Sequence, residues 1–172
     1  MKWTINRSNA SIPKGFLLSH WSHSIALGFG SGLSPVMPGT CGSLLGVVLA
    51  WGLSIVPFFE AFCILIVLSF LGVYVCGYAS QSLGEHDHGA IVWDEIVGFA
   101  WLMLFLPWSW LLASGALILF RLYDIFKPWP ILWFDRKIGG GFGIMLDDVL
   151  AASAAWGTIC LLSQIFHEYA IS

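Results

Sequence analysis

The residues able to do chemistry in this chain are few and gathered. Asp94 with Glu95 and Asp147 with Asp148 form adjacent pairs, and Asp124 and Asp135 lie between them. Arg121 and Lys127 flank Asp124 at three-residue spacing, so on a helix the three share one broad face. Six carboxylates in one place repel unless they are protonated or bind a cation. An oxygen-only donor set selects hard cations, Mg²⁺ first. A metal does not need Arg121 or Lys127. These suit a phosphate, the guanidinium as a bidentate fork and the ammonium as a point charge. Acids for a metal and cations for a phosphate are the equipment of phosphoryl transfer, where catalysis is mostly positioning and charge neutralisation.

A third polar stretch, residues 28–43, is rich in Gly, Ser and Pro and opens an apolar segment. Free backbone N–H groups at a helix start favour an anion, and Thr40 or Ser43 could add a hydroxyl. By itself such a stretch is commonly just a turn. Asp94 and Glu95 directly precede the apolar run 96–106, and carboxylates at membrane depth are functional candidates. Their bland role there is to complement the helix dipole. His86 and His88 could bind a metal, but loop histidines are common.

The elements that must position these groups follow from composition. Of 172 residues, 58% are apolar and 10% charged, with seven Lys or Arg against ten acids. Mean hydropathy is +0.85. A soluble domain carries about 25% charged residues. This imbalance excludes an ordinary soluble globule, a disordered chain and a nucleic-acid binder, which needs a basic surface. Residues 15–59, 61–84, 96–120 and 149–167 hold no Asp, Glu, Lys or Arg. A crossing helix needs about 20 apolar residues. The expectation is an all-α, polytopic membrane bundle of about four to five transmembrane helices in a single domain over residues 1–172, of which 1–20 are a variable basic segment. Crossings are expected near 42–59, 61–83 and 148–166, with two more sharing 96–120 around a hairpin at 107–110. No cleaved signal is expected.

Lys2, Arg7 and Lys14 precede the first crossing, and Arg121, Lys127, Arg136 and Lys137 follow the fourth. An even number of crossings places both groups on one side, which the positive-inside rule makes cytoplasmic. Most acids fall on that side too, leaving Glu60 and Glu168 opposite. Trp108 and Trp110 suit the outer interface, and Trp93, Trp129 and Trp133 the inner one. Gly42, Gly46 and Ala50 are spaced for close helix packing. The four cysteines have no CxxC spacing and read as small packing residues. The run 139–143 reads as a tight, mobile loop, after which Asp147 and Asp148 open the last crossing.

Four segments carry a resemblance: 28–43 (GFGSGLSPVMPGTCGS), 86–95 (HDHGAIVWDE), 120–136 (FRLYDIFKPWPILWFDR) and 139–148 (GGGFGIMLDD). In order and spacing they resemble the bacterial phosphatidylglycerophosphatase A family, from about residue 28 to 155. Ala151-Ala152 departs from the Ala-Gly expected after the Asp pair. The resemblance implies an Mg²⁺-dependent inner-membrane enzyme that removes the terminal phosphate of phosphatidylglycerophosphate, and the family's motif positions fall on Asp94, Glu95, Arg121, Asp124, Lys127, Asp135, Asp147 and Asp148. On that footing Asp94, Glu95, Asp124, Asp147 and Asp148 are the expected catalytic residues and metal ligands. Arg121, Lys127, Thr40, Ser43 and Asp135 are the expected substrate-binding set. Attack by an activated water and attack by an aspartate both stay open. The partners expected are the phospholipid and the membrane, with no nucleic acid. The nearest rivals are a CDP-alcohol phosphotransferase-like enzyme, whose longer Asp array is missing, and a small ion transporter, whose acids should lie mid-membrane.

Overall fold

The computed structural model of the chain describes residues 12–85 and 88–171, with side chains as far as residue 165. Lys2, Arg7, His86, Asp87 and the Glu168 side chain lie outside these. Two short helices, α1 (Phe16–Ser19) and α2 (Trp21–Ala26), lead through a 3₁₀ segment (Gly28–Leu33) into α3 (Pro38–Leu53). Then come α4 (Phe58–Leu83), α5 (Trp93–Leu104), α6 (Trp110–Phe126), α7 (Ile131–Lys137) and α8 (Gly140–Ile171), with no strand among the described residues. Local chemistry sets the ends. Pro38 opens α3 with its φ already helical. The Ser109 hydroxyl accepts the Leu112 N–H at 3.1 Å and caps α6. Gly84, left-handed at φ 71°, ends α4.

Helix α5 is the axis of the bundle, and nearly all of it is buried. It packs on α3, α4 and α8, while α6 leans chiefly on α8. The small-residue stripe of α3 does what its spacing predicts. A Cβ added to Gly42 would sit 2.6 Å from Val92 Cβ, and one on Gly46 2.9 Å from the Ile96 carbonyl oxygen. Phe99 of α5 meets Phe120 of α6 edge to face, and the Tyr123 and Thr158 hydroxyls join α6 to α8 at 2.7 Å. Helix α2 and the 3₁₀ segment fill the space beside α3 and the C-terminal half of α4. There Trp21 stacks on Tyr74, and His23 Nε2 lies 3.2 Å from Ser82 Oγ.

The all-helical class and the hairpin stand: the chain turns between Leu104 and Trp110. Several boundaries differ. The first long helix spans Pro38–Leu53, not 42–59, because Pro57 starts a new helix. Only Gly139 of the glycine run lies in a connection. Gly140–Gly143 form the first turn of α8, and a Cβ on Gly141 would strike the Val73 carbonyl of α4 at 1.8 Å. Glycine is there for close helix contact. Asp147 and Asp148 therefore do not open the last helix. They lie about 10 Å along it, at about 1.5 Å per residue. Among the described residues two segments are long and apolar enough to cross a bilayer, Phe58–Leu83 and Gly140–Ile165; Pro38–Leu53 is a shorter apolar helix. Helix α5, about 18 Å long, is shorter than a hydrocarbon core of about 30 Å. All four cysteines are free, and Cys63 points outward rather than into a helix contact.

Candidate active site

The first turn of α5 carries Asp94 and Glu95, where the helix dipole favours negative charge. The C-terminal half of α6 brings Arg121 and Asp124 beside them. Arg121 Nη1 donates to Glu95 Oε1 at 2.8 Å, and it also pairs with Asp124 one turn on. Lys127 caps α6 in the left-handed region, with φ 39° and ψ 61°. That turn aims its ammonium at two other helices, where Nζ meets Asp135 Oδ1 of α7 at 2.8 Å and also Asp147 of α8.

Carboxylate oxygens of Asp124, Asp147 and Asp148 lie within 4.8 Å of one another. Asp148 is 2% exposed, and its Oδ2 has no hydrogen-bond partner among the described residues. Asp94, Asp124, Asp147 and Glu95 are all within its electrostatic reach. Six carboxylates thus face two cations, a formal excess of four negative charges. Such an assembly is stable only with more positive charge or with protons. The oxygen-only donors and the orphaned oxygen fit a hard divalent cation.

The structure brings together all six expected carboxylates and both expected cations, but divides their labour. Asp124, Asp147 and Asp148 converge. Glu95 is engaged by Arg121, and Asp135 holds Lys127. Thr40 sits in the first turn of α3, its hydroxyl buried without a partner among the described residues. The buried Ser43 hydroxyl is spent on its own helix, donating to the Gly39 carbonyl at 2.9 Å. His88 lies in the loop before α5, its Nδ1 accepting the Ala90 N–H at 3.2 Å.

Two glycines escaped the sequence reading. A Cβ on Gly39 would lie 2.0 Å from Glu95 Oε1 and 2.7 Å from Arg121 Nη2. One on Gly98 would lie 3.0 Å from Asp148 Cβ. The signal was present in Gly98, one turn beyond Asp94, because glycine inside a helix costs about 1 kcal/mol against alanine and usually has a packing reason.

Comparison with known proteins identifies the family. Residues 24–163 match the profile of the family described as Phosphatidylglycerophosphatase A. Phosphatidylglycerophosphatase A of Escherichia coli (strain K12) is 42% identical over 146 residues, 83% of each chain. The Haemophilus influenzae protein of the same name is 48% identical over 139 residues, 76% of this chain and 81% of the relative. No solved structure matches the chain.

Proposed function

The chain belongs to the phosphatidylglycerophosphatase A family, and from that premise we propose that it hydrolyses the terminal phosphomonoester of phosphatidylglycerophosphate with Mg²⁺. The products are phosphatidylglycerol and inorganic phosphate. The reaction runs at the cytoplasmic face of a bacterial inner membrane that about four to five of the helices cross. One observation carries this reading beyond family membership: Asp124, Asp147 and Asp148 converge within 4.8 Å beside the only two Lys or Arg side chains of α6 and its cap.

Asp124, Asp147 and Asp148 would hold the metal, and Asp94 lies beside them. When bound, Mg²⁺ supplies charge neutralisation at the phosphate and eases deprotonation of a nucleophilic water. The chain's own groups do the rest. Arg121 is fixed by Glu95 and Asp124, and its remaining N–H donors can hold phosphate oxygens. Lys127, steered by Asp135, offers a point charge, and Thr40 a hydroxyl beside the N–H groups that open α3. The bond between phosphorus and the glycerol oxygen breaks, and that oxygen takes up a proton. Either water attacks the phosphorus directly, or an aspartate such as Asp94 does so and water then cleaves the aspartyl-phosphate to release phosphate and restore the carboxylate.

The test is phosphate release from phosphatidylglycerophosphate by purified protein. Turnover is expected with Mg²⁺, lost in excess chelator and restored by adding Mg²⁺ back. Turnover that is indifferent to chelation removes the metal, and no release at all removes the reading. Acid quenching with substrate labelled in its terminal phosphate separates the two routes, since only attack by an aspartate leaves the label bound covalently to the protein.

A further inference from the structure

We propose that the seam between α3 and α6 is a lateral entrance to the site and holds one acyl chain of the lipid substrate. This rests on the phosphatase reading above.

Helices α3 and α6 run antiparallel, both flank α5, and touch each other only lightly. They meet at two places. At one end the rings of Trp51 and Trp110 lie 6.5 Å apart. At the other, Arg121 crowds Gly39, with Nη2 2.7 Å from where a Cβ would stand. Helical spacing places Thr40, Leu44, Val47, Val48 and Trp51 along this side of α3, and Arg121, Ile118, Leu117, Ser114 and Trp110 along this side of α6. Val47 and Leu117 are half-buried and pack on the core, and the outer members stay uncovered, with Leu44 52%, Val48 60% and Ile118 62% exposed. The result is a mainly apolar outward strip along the seam that ends at the Trp51–Trp110 ring pair. At its other end lie Thr40 Oγ1 and Arg121 Nε, both buried and without partners among the described residues.

An apolar wall that ends on orphaned phosphate-binding donors fits an amphiphile with an anionic head. From Thr40 to Trp51 the strip runs about 16 Å, and one leaflet's hydrocarbon is about 15 Å deep. Other apolar surfaces lack the polar end. The outward face of α4 around Val67 and Phe70 leads to no buried orphan atom among the described residues. The cavity of about 270 Å³ lined by Ala50, Phe58, Met103 and Trp108 lies at the far end of α5 from the carboxylates.

The experiment compares a long-chain phosphatidylglycerophosphate with a water-soluble short-chain analogue of the same headgroup. Val48→Trp or Ile118→Trp should lower the long-chain to short-chain ratio of kcat/KM about tenfold, whereas Val67→Trp leaves it in place. A ratio unchanged in the seam variants overturns the entrance. A second readout uses the wild-type chain in vesicles with a diazirine midway along one acyl chain of the substrate. Labelling should favour α3 and α6 over α4, relative to a photoreactive phosphatidylcholine. Labelling no different from that bulk lipid also overturns the entrance. A wild type that releases no phosphate from either substrate defeats the phosphatase reading instead.

Discussion

Asp148 shows what the site requires of one side chain. It is buried to 2% exposure, one oxygen is unpartnered among the described residues, and four other carboxylates act on it. A charge so placed is costly unless a cation shares the space. Asp148→Asn keeps the shape and removes the repulsion. The variant should melt at or above the wild-type temperature without divalent ions, yet lose the rise that Mg²⁺ gives the wild type. A ligand at about 100 times its Kd contributes about 2.7 kcal/mol to the native state. Phosphate release should fall at least about 100-fold, the scale of losing a preorganised charge partner. Thermal scans with and without Mg²⁺, alongside turnover, check both. A full Mg²⁺ shift in the variant would take Asp148 out of the ligand set. At this scale the sequence was legible, because charges stand out in a chain with so few. What it hid was the pairing. Glu95 with Arg121 and Lys127 with Asp147 join separate helices, and spacing along one chain does not encode contacts between helices.

Among the elements, α5 decides where two carboxylates sit, and α3 decides where α5 sits. The close approach runs through Gly46, where a Cβ would lie 2.9 Å from the Ile96 carbonyl oxygen and 3.0 Å from Phe99 Cβ. Backbone cannot step aside as a side-chain tip can. Gly46→Ala should therefore destabilise by about 1–3 kcal/mol, as overpacking does. Gly115→Ala on α6 meets nothing within 4 Å, so it should gain up to about 1 kcal/mol from helix propensity. Opposite shifts in melting temperature are the expected result, and equal shifts would refute the close α3–α5 contact. The spacing of Gly42, Gly46 and Ala50 disclosed this packing, whereas residues 139–143 read as a mobile loop although 140–143 begin α8. A glycine run serves a mobile loop or a helix pressed on its neighbour equally well, and only the Val73 backbone of α4 tells which. A second element-scale device is the latch of α2 on α4. Burial pushes the His23 imidazole below its ordinary pKa of 6.5, with a smaller opposing effect from the Phe16 carbonyl. The unfolded latch then binds protons more readily than the folded one. Its stability is full above about pH 6.5 and declines as pH falls below that. Hydrogen exchange at α2 amides should speed up relative to α4 between pH 7.5 and 5.5, and His23→Gln should flatten the difference.

For the whole molecule, the decisive matter is which groups share an end. Charge counting placed Lys14 with Lys127, Arg136 and Lys137, and the fold agrees through independent contacts. Helix α2, just beyond Lys14, docks on Tyr78 and Ser82 near the C-terminus of α4. Helix α8, just beyond Lys137, begins with Gly141 against Gly77 of the same helix. The α3–α4 turn at Ile55 lies at the other end, beside the α5–α6 turn, as the Phe58–Phe105 ring contact shows. Which groups share an end was more legible than how long each helix is. A charge-free stretch records apolar length, whereas α5 spends its apolar length inside the bundle and is only about 18 Å long. If the basic end is cytoplasmic, sidedness is open to direct measurement. In a background with Cys41, Cys63, Cys76 and Cys160 changed to Ser, Lys14→Cys and Lys137→Cys should both react with an impermeant maleimide only in inverted vesicles. Ile55→Cys should react only in intact, right-side-out cells stripped of their outer membrane. Labelling of Lys14→Cys and Lys137→Cys from opposite sides would mean an odd number of passes between them. The two sets of cations would then be divided by the bilayer, and the docking of α2 at the end of α4 where α8 begins would have to be abandoned.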